Sequence, residues 1–265
     1  MNAIDPMLQT VHRADEAADL LDFVPPLRRT PHFGLAVQAI VSLSAARRPA
    51  WVEFLIRPPA DGPGRSVMGL VRAGYAGRGY RFDLDVLDAA LQQLPAMRVD
   101  TRFGINVRPG SLIVPDFADA LLTRLDRAGV APRRLVLELV EYAGAVDLDA
   151  TDRALDALRR SGVQIALDDF GPGAPNFDVV AAGLIDWIKL DRSLCCRIDT
   201  HDGDRRVVEG LAALVRHAGP GLVAEGIERP TQMQVLQAMG IVHQQGFLFH
   251  RPALLANGNH AGSRH

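Results

Sequence analysis

Short apolar runs alternate with amphipathic segments along most of this chain, and the amphipathic segments repeatedly close on a glycine. The pattern is clearest after residue 100. Arg102–Val107 reads as a strand, and Asp116–Ala128 as a helix closed by Gly129. Arg134–Val140 is a strand, and Asp149–Arg160 a helix closed by Gly162. Gln164–Leu167 is a strand that ends at Asp168 and Asp169, followed by a short helix over 177–182, a strand at Asp186–Leu190 and a helix over Arg205–His217 ending at Gly219. Gly221–Glu225, a helix from Pro230 to Met239 with Gly240 after it, and a last strand at Gln245–Phe249 complete the series. Glycine belongs at a helix C-terminus because it takes positive φ without strain. Alternating β and α with short connections predicts a parallel sheet covered by helices.

Earlier in the chain, Gly34–Leu43 and Trp51–Arg57 are strand-like and closely spaced, which predicts an antiparallel hairpin at the start of the sheet. Residues 58–82, rich in Gly, Pro and Arg, read as a long irregular connection, and Asp83–Leu94 as a helix with Leu84, Leu87, Leu91 and Leu94 on one face. Eight strands in 265 residues predict an α/β, TIM-like (β/α)8 barrel with one antiparallel strand near the start. An open doubly wound sheet is the alternative, but no Gly-rich phosphate fingerprint follows the first strand. The expected organisation is an N-terminal extension over 1–30, a barrel over 31–253 and a flexible polar tail over 254–265. Within the extension, Asp15–Phe23 has the pattern of a short amphipathic helix stopped by Pro25-Pro26.

Composition narrows the function classes. A net charge of −2 gives no basic stripe for a nucleic-acid polymer and no membrane-seeking surface. The two cysteines, adjacent at 195 and 196, match neither a disulfide framework nor a zinc site and read as ordinary thiols of a reducing cytosol. No apolar run approaches the length of a membrane span, and no signal-peptide core precedes the first strand. A cytoplasmic location is expected.

The chemistry is written at the strand ends. Gln164-Ile-Ala-Leu shows no polar alternation, so it reads as a strand buried on both faces, and it breaks into Asp168 and Asp169. Two carboxylates this close need a cation between them, and their oxygens suit a hard divalent ion, Mg²⁺ or Mn²⁺. Each successive strand ends in a group of related chemistry: Glu53, Asn106, Glu138 with Glu141, the Asp pair, Lys189 with Asp191, Glu225 with Glu228, and Gln245. In a barrel these ends share one face. Glu53, Asn106, Glu138, Asp168 and Asp169 supply an all-oxygen shell, with room for two ions about 3.5–4 Å apart, a spacing suited to in-line attack on a phosphodiester. Lys189 is expected to orient the attacking water, and Glu225 to take its proton or hold the shell through water.

These residues resemble, in order, the signature of EAL-domain cyclic di-GMP phosphodiesterases: Glu53-Phe-Leu-Ile-Arg57, Asn106, Glu138-Leu-Val-Glu141, Asp168-Asp-Phe-Gly171, Lys189-Leu-Asp191, Glu225-Gly-Ile-Glu228 and Gln245-Gly246. The resemblance runs from about His32 to Pro252. It implies a TIM-like barrel with one antiparallel strand and hydrolysis of cyclic di-GMP to linear pGpG with two Mg²⁺ or Mn²⁺ ions. By similarity Glu53, Asn106, Glu138, Asp168 and Asp169 are the metal ligands, Lys189 and Glu225 act on the water, and Gln245 supports that shell. Gln38, Arg57, Asp191 and Gln245 lie on the substrate side, Glu141 steadies the loop after the Asp pair, and a homodimer is compatible with the family.

Three departures accompany it. Phe54 replaces the alanine of the name-giving triplet, residues 58–81 are unlike the common pattern, and the loop Gly171-Pro-Gly-Ala-Pro-Asn-Phe177 carries two prolines in place of a Thr- and Tyr-bearing sequence. The altered loop leaves a second reading open, a non-catalytic cyclic di-GMP receptor or protein-interaction module on the same barrel.

Overall fold

A computed structural model describes residues 33–44, 49–59, 66–140, 148–171 and 180–255. The expected N-terminal extension, the loop 172–177, Glu141 and the tail beyond Leu255 lie outside the described residues.

The first strands are β1 (Gly34–Ser42) and β2 (Pro49–Arg57). Then come α1 (Val67–Arg78), α2 (Arg81–Leu91), β3 (Phe103–Val107), α3 (Pro109–Leu112), α4 (Phe117–Arg127) and β4 (Leu135–Leu139). The series continues with α5 (Leu148–Ser161), β5 (Gln164–Phe170), β6 (Trp187–Leu190), α6 (Arg192–Cys195), α7 (Asp202–Ala218) and β7 (Gly221–Ala224). It ends with α8 (Pro230–Ala238), β8 (His243–Gln244) and β9 (Ala253–Leu254). The hydrogen-bonded order is β2-β3-β4-β5-β6-β7-β8-β1-β9, and β1 also pairs with β2. β1 runs antiparallel to β8, whereas β2 through β4 and β5 through β8 pair in parallel. This is the topology of a TIM-like (β/α)8 fold whose first strand is reversed, as the early hairpin predicts.

The chain divides into two compact units. One is built on Val52–Ile165. Its parallel ladder sets Gly104 against Val136 and Asn106 against Glu138. Phe117, Leu121 and Leu125, spaced one helical turn apart on α4, are buried, as are Leu84, Leu87 and Leu91 of α2. The other unit is built on Ala166–Arg251. Ala166, Leu167, Ile188, Leu190, Val223 and Ala224 are all buried along its strands. The runs without polar alternation are thus buried on both faces, as in a parallel sheet. Gly129, Gly162, Gly219 and Gly240 follow helices with positive φ, as their placement predicts.

Four local expectations are corrected. Residues 67–78, inside the stretch read as an irregular connection, form helix α1, started by the Ser66 hydroxyl accepting from the Gly69 N–H at 3.0 Å. Its glycines lower helix propensity but allow close packing: a Cβ on Gly74 would lie 2.5 Å from the Phe82 ring on α2. The last parallel strand is His243–Gln244, not Gln245–Phe249, because the chain turns where Gly246 presses against the backbone of Ile227. Short helices α3 and α6, absent from the sequence reading, sit directly after β3 and β6. Finally, the first two residues assigned to the tail are ordered: Leu254 pairs with Ala36 of β1, and the buried Leu255 donates its N–H to the Leu35 carbonyl at 2.8 Å.

Candidate active site

In the unit built on Val52–Ile165, Glu53, Asn106 and Glu138 occupy three adjacent parallel strands. Glu53 stands in register with Gly104, and Asn106 with Glu138. Both glutamates are buried, Glu138 completely. The Asn106 side-chain N–H₂ donates to a Glu53 carboxylate oxygen at 2.9 Å, which fixes the amide orientation. Its carbonyl oxygen is left buried with no hydrogen-bond partner. A buried acceptor without a donor costs roughly 1–3 kcal/mol. A cation held by Asn106 and the neighbouring carboxylates removes that cost, so this donor set fits a hard divalent ion.

The unit built on Ala166–Arg251 carries the second group. On a regular strand Asp168 and Asp169 would point to opposite faces. The structure resolves this with a bulge: Leu167 pairs with Ile188 and Phe170 with Leu190, so the Asp pair together stands opposite Lys189. Asp169 takes φ 51°, the only positive φ at a non-glycine among the described residues. The short polar side chain of Asp tolerates that conformation better than most. The strand therefore does not end at the pair, as the sequence reading has it, but kinks there and continues to Phe170.

One oxygen each from Asp168, Asp169 and Glu225 lies within 4.8 Å of the others. Lys189 sits between two of them, its ammonium nitrogen 2.8 Å from Asp168 and 2.8 Å from Glu225. Its side chain is 1 % exposed. A buried ammonium of this kind is stable only because carboxylates compensate it. Three carboxylates against one ammonium still leave an excess of negative charge, which a divalent ion would offset.

Gln245 is buried directly after β8, and its backbone N–H donates to the Ala224 carbonyl, beside Glu225. Asp191 caps α6, accepting from the Ser193 N–H at 2.8 Å, and its Cβ would be 2.9 Å from a Cβ on Gly171. The Arg57 guanidinium bonds to the Ile56 carbonyl at 2.9 Å, and Gln38 is half-buried on β1. Cys195 is buried and Cys196 partly so, both as free thiols; burial pushes the Cys195 thiol up to about 12, so it is no nucleophile. No helix among the described residues is long and apolar enough to cross a membrane.

A cluster that the sequence reading missed lies on the loop side of β3. Asp83 of α2 accepts hydrogen bonds from the Tyr75 hydroxyl of α1 and, at 2.5 Å, from the Ser111 hydroxyl of α3. The Arg108 guanidinium stacks 4.6 Å from the Tyr75 ring centroid. The signal available was Asp83 itself, a charged residue between Phe82 and Leu84 on a helix whose neighbours are apolar.

The model of the EAL domain matches residues 27–252. This chain belongs to the EAL domain family. Among curated proteins, an Escherichia coli protein described as the probable cyclic di-GMP phosphodiesterase PdeA is 26% identical over 95% of this chain, which spans 33% of that protein. PdeL of the same organism, a cyclic di-GMP phosphodiesterase, is 31% identical over 56% of this chain and 41% of its own length. The match to this chain thus spans less than half the length of either relative. Among solved structures, Klebsiella pneumoniae BlrP1 in a manganese and cyclic di-GMP complex superposes with a TM-score of 0.75 at 31% identity, covering 94% of this chain and 67% of that one. The PaMucR phosphodiesterase in complex with cyclic di-GMP gives a TM-score of 0.73 at 27% identity over 84% of this chain and 98% of that one.

Proposed function

We propose that this EAL domain hydrolyses cyclic di-GMP to linear pGpG. The observation that carries the reading is the buried Lys189 bridging Asp168 and Glu225 at 2.8 Å, with Asp169 brought alongside by the bulge. Glu53, Asn106, Glu138, Asp168 and Asp169 would hold two divalent ions, Mg²⁺ or Mn²⁺. Bound there, such ions would lower the pKa of water and neutralise the phosphodiester.

The chain's own residues do the rest. Glu225 accepts a proton from the attacking water, and the neighbouring ammonium holds it in place. Lys189 donates its N–H bonds toward the water and offsets negative charge building on phosphorus. Arg57 and Gln38 contact the dinucleotide, with the guanidinium suited to a phosphate oxygen. Asp191 and Gln245 border the substrate, Asp191 from a helix cap and Gln245 from the turn that Gly246 makes. Glu141 acts on the loop that follows the Asp pair. A cytoplasmic location and assembly as a homodimer belong to the same reading.

Turnover of cyclic di-GMP by the purified chain with Mg²⁺ or Mn²⁺, beside Lys189→Ala and Glu53→Ala, tests it. The wild type should release pGpG and both variants should not. Nucleotide binding by the wild type without release of pGpG would overturn the enzyme in favour of a receptor.

A further inference from the structure

At the start of β3, β4 and β5, away from the carboxylates, lies a pocket of about 350 Å³ lined by Asp100, Arg102, Arg133, Arg134, Gly162 and Gln164. Each strand connects the two ends by the same spacing. Arg102 precedes Asn106 by four positions, Arg134 precedes Glu138 by four, and Gln164 precedes Asp168 by four. Arg102 and Arg134 immediately precede β3 and β4, and Gln164 is the first residue of β5.

The electrostatics of the pocket are one-sided. Three guanidiniums face one carboxylate, which leaves two positive charges. Arg102 donates to the Gln164 side-chain oxygen at 2.9 Å, and Arg134 donates from Nε to the Thr101 carbonyl at 2.9 Å. Both contacts orient the guanidiniums without neutralising them. Nη2 of Arg134 is buried and has no hydrogen-bond partner. Burial lowers the affinity of both Arg102 and Arg134 for their protons, and Arg133 disfavours the Arg134 charge further, with Asp100 the opposing influence. Like charges gathered in a partly desolvated site are costly unless an anion joins them.

We propose that this pocket binds a dianionic phosphate group, carried by inorganic phosphate or by a phosphomonoester. The two excess positive charges match a phosphate dianion, and the guanidinium fork matches its oxygens. The Gln164 N–H₂, left available by the bond its oxygen accepts, adds a neutral donor. The pocket volume, at the lower end for small-molecule sites, admits the phosphate together with a small organic group. The site is independent of the proposed hydrolysis, since none of its residues is among the metal ligands.

The experiment titrates the full 265-residue chain, in chelator, with inorganic phosphate in one arm and 5′-GMP in the other, following binding by calorimetry and backbone amide shifts. Saturable binding that perturbs Gly162, Gln164 and Arg102 amides is expected in at least one arm, and the tighter arm names the source. Arg133→Gln, a change at an exposed side chain, should weaken it roughly tenfold, as loss of one charge-assisted contact implies. Glu53→Ala should leave it unchanged. Absence of saturable binding in both arms at millimolar ligand would overturn the site. So would binding that Arg133→Gln leaves intact, or that Glu53→Ala abolishes.

Discussion

The ammonium nitrogen of Lys189 lies 2.8 Å from a Glu225 carboxylate oxygen, and the lysine side chain is almost fully removed from water. The same nitrogen reaches Asp168 at 2.8 Å, so one buried cation holds two carboxylates that would otherwise repel. Lys189→Met keeps the length of the side chain and deletes the charge. Metal-free protein should lose on the order of 3 kcal/mol of stability, the penalty for leaving buried carboxylates uncompensated. Turnover should fall by at least about a hundredfold, in line with the loss of a transition-state charge partner. Urea unfolding in chelator and a pGpG assay read the two effects. Unchanged stability would mean that the ammonium does not compensate the two carboxylates.

The carboxylates, Asn106 and Lys189 were legible because their chemistry is tied to strand ends, and strand ends are legible from apolar runs. What stayed hidden depends on tertiary contact. Helix α1 is rich in Gly and Arg, and its stability comes from the Ser66 cap and from Gly74 packed on Phe82, neither visible as periodicity. The bulge at Asp168–Asp169 cannot be read from two adjacent aspartates, since it is defined by their pairing with β6. The role of Asp83 is hidden for the same reason: its partners Tyr75 and Ser111 belong to two other helices.

Asn106 offers a test for the ions that does not depend on turnover. Asn106→Asp replaces the donor to Glu53 with a second carboxylate. Without metal the two should repel and lower the melting temperature. Saturating Mn²⁺ should then raise it by more than in the wild type, where stabilisation at about a hundred times Kd is about 2.7 kcal/mol. Calorimetric melting with and without Mn²⁺ checks the sign of the difference. Equal shifts in both proteins would remove Asn106 from the ligand set.

The backbone at Asp169 separates conformational from chemical roles. At φ 51° a β-carbon is strained, and Asn tolerates the conformation as well as Asp does, whereas Ala does not. Asp169→Asn should keep the wild-type stability and lose turnover. Asp169→Ala should lose turnover and about 1 kcal/mol of stability as well. Paired denaturation and activity measurements decide the matter, and equal stability of the two variants would argue against the bulge geometry.

Gly246 underlies the position of Gln245. A Cβ there would fall 2.1 Å from the Ile227 carbonyl oxygen and 2.3 Å from its nitrogen, both backbone atoms in a turn that also receives the Leu248 N–H. Gly246→Ala must therefore displace the chain after β8. A loss of about 1–3 kcal/mol, typical of overpacking, is expected in urea unfolding. The KM for cyclic di-GMP should rise with it, since Gln245 moves with the turn.

Asp83 makes stability depend on acidity in a window of its own. Burial is the largest influence on it and outweighs the hydrogen bonds from Ser111 and Tyr75, pushing its carboxyl from 3.8 up to about 6. Below about pH 3.8 the group is protonated in folded and unfolded chains alike, and it costs nothing. Between about 3.8 and about 6 the unfolded chain ionises while the folded one holds its proton, so stability falls as pH rises. Above about 6 the loss is complete, and a rise of about two pH units corresponds to roughly 3 kcal/mol. Asp83→Asn cannot ionise and escapes the loss. The stability of the variant minus that of the wild type should therefore grow across this window and level off above it, other titrating groups cancelling in the difference. Urea unfolding of both proteins at about pH 4, 5, 6 and 7 measures it. A difference that stays flat from about pH 4 to 7 would show that the buried carboxylate is ionised throughout, stabilised by its two hydroxyl donors and the nearby Arg108.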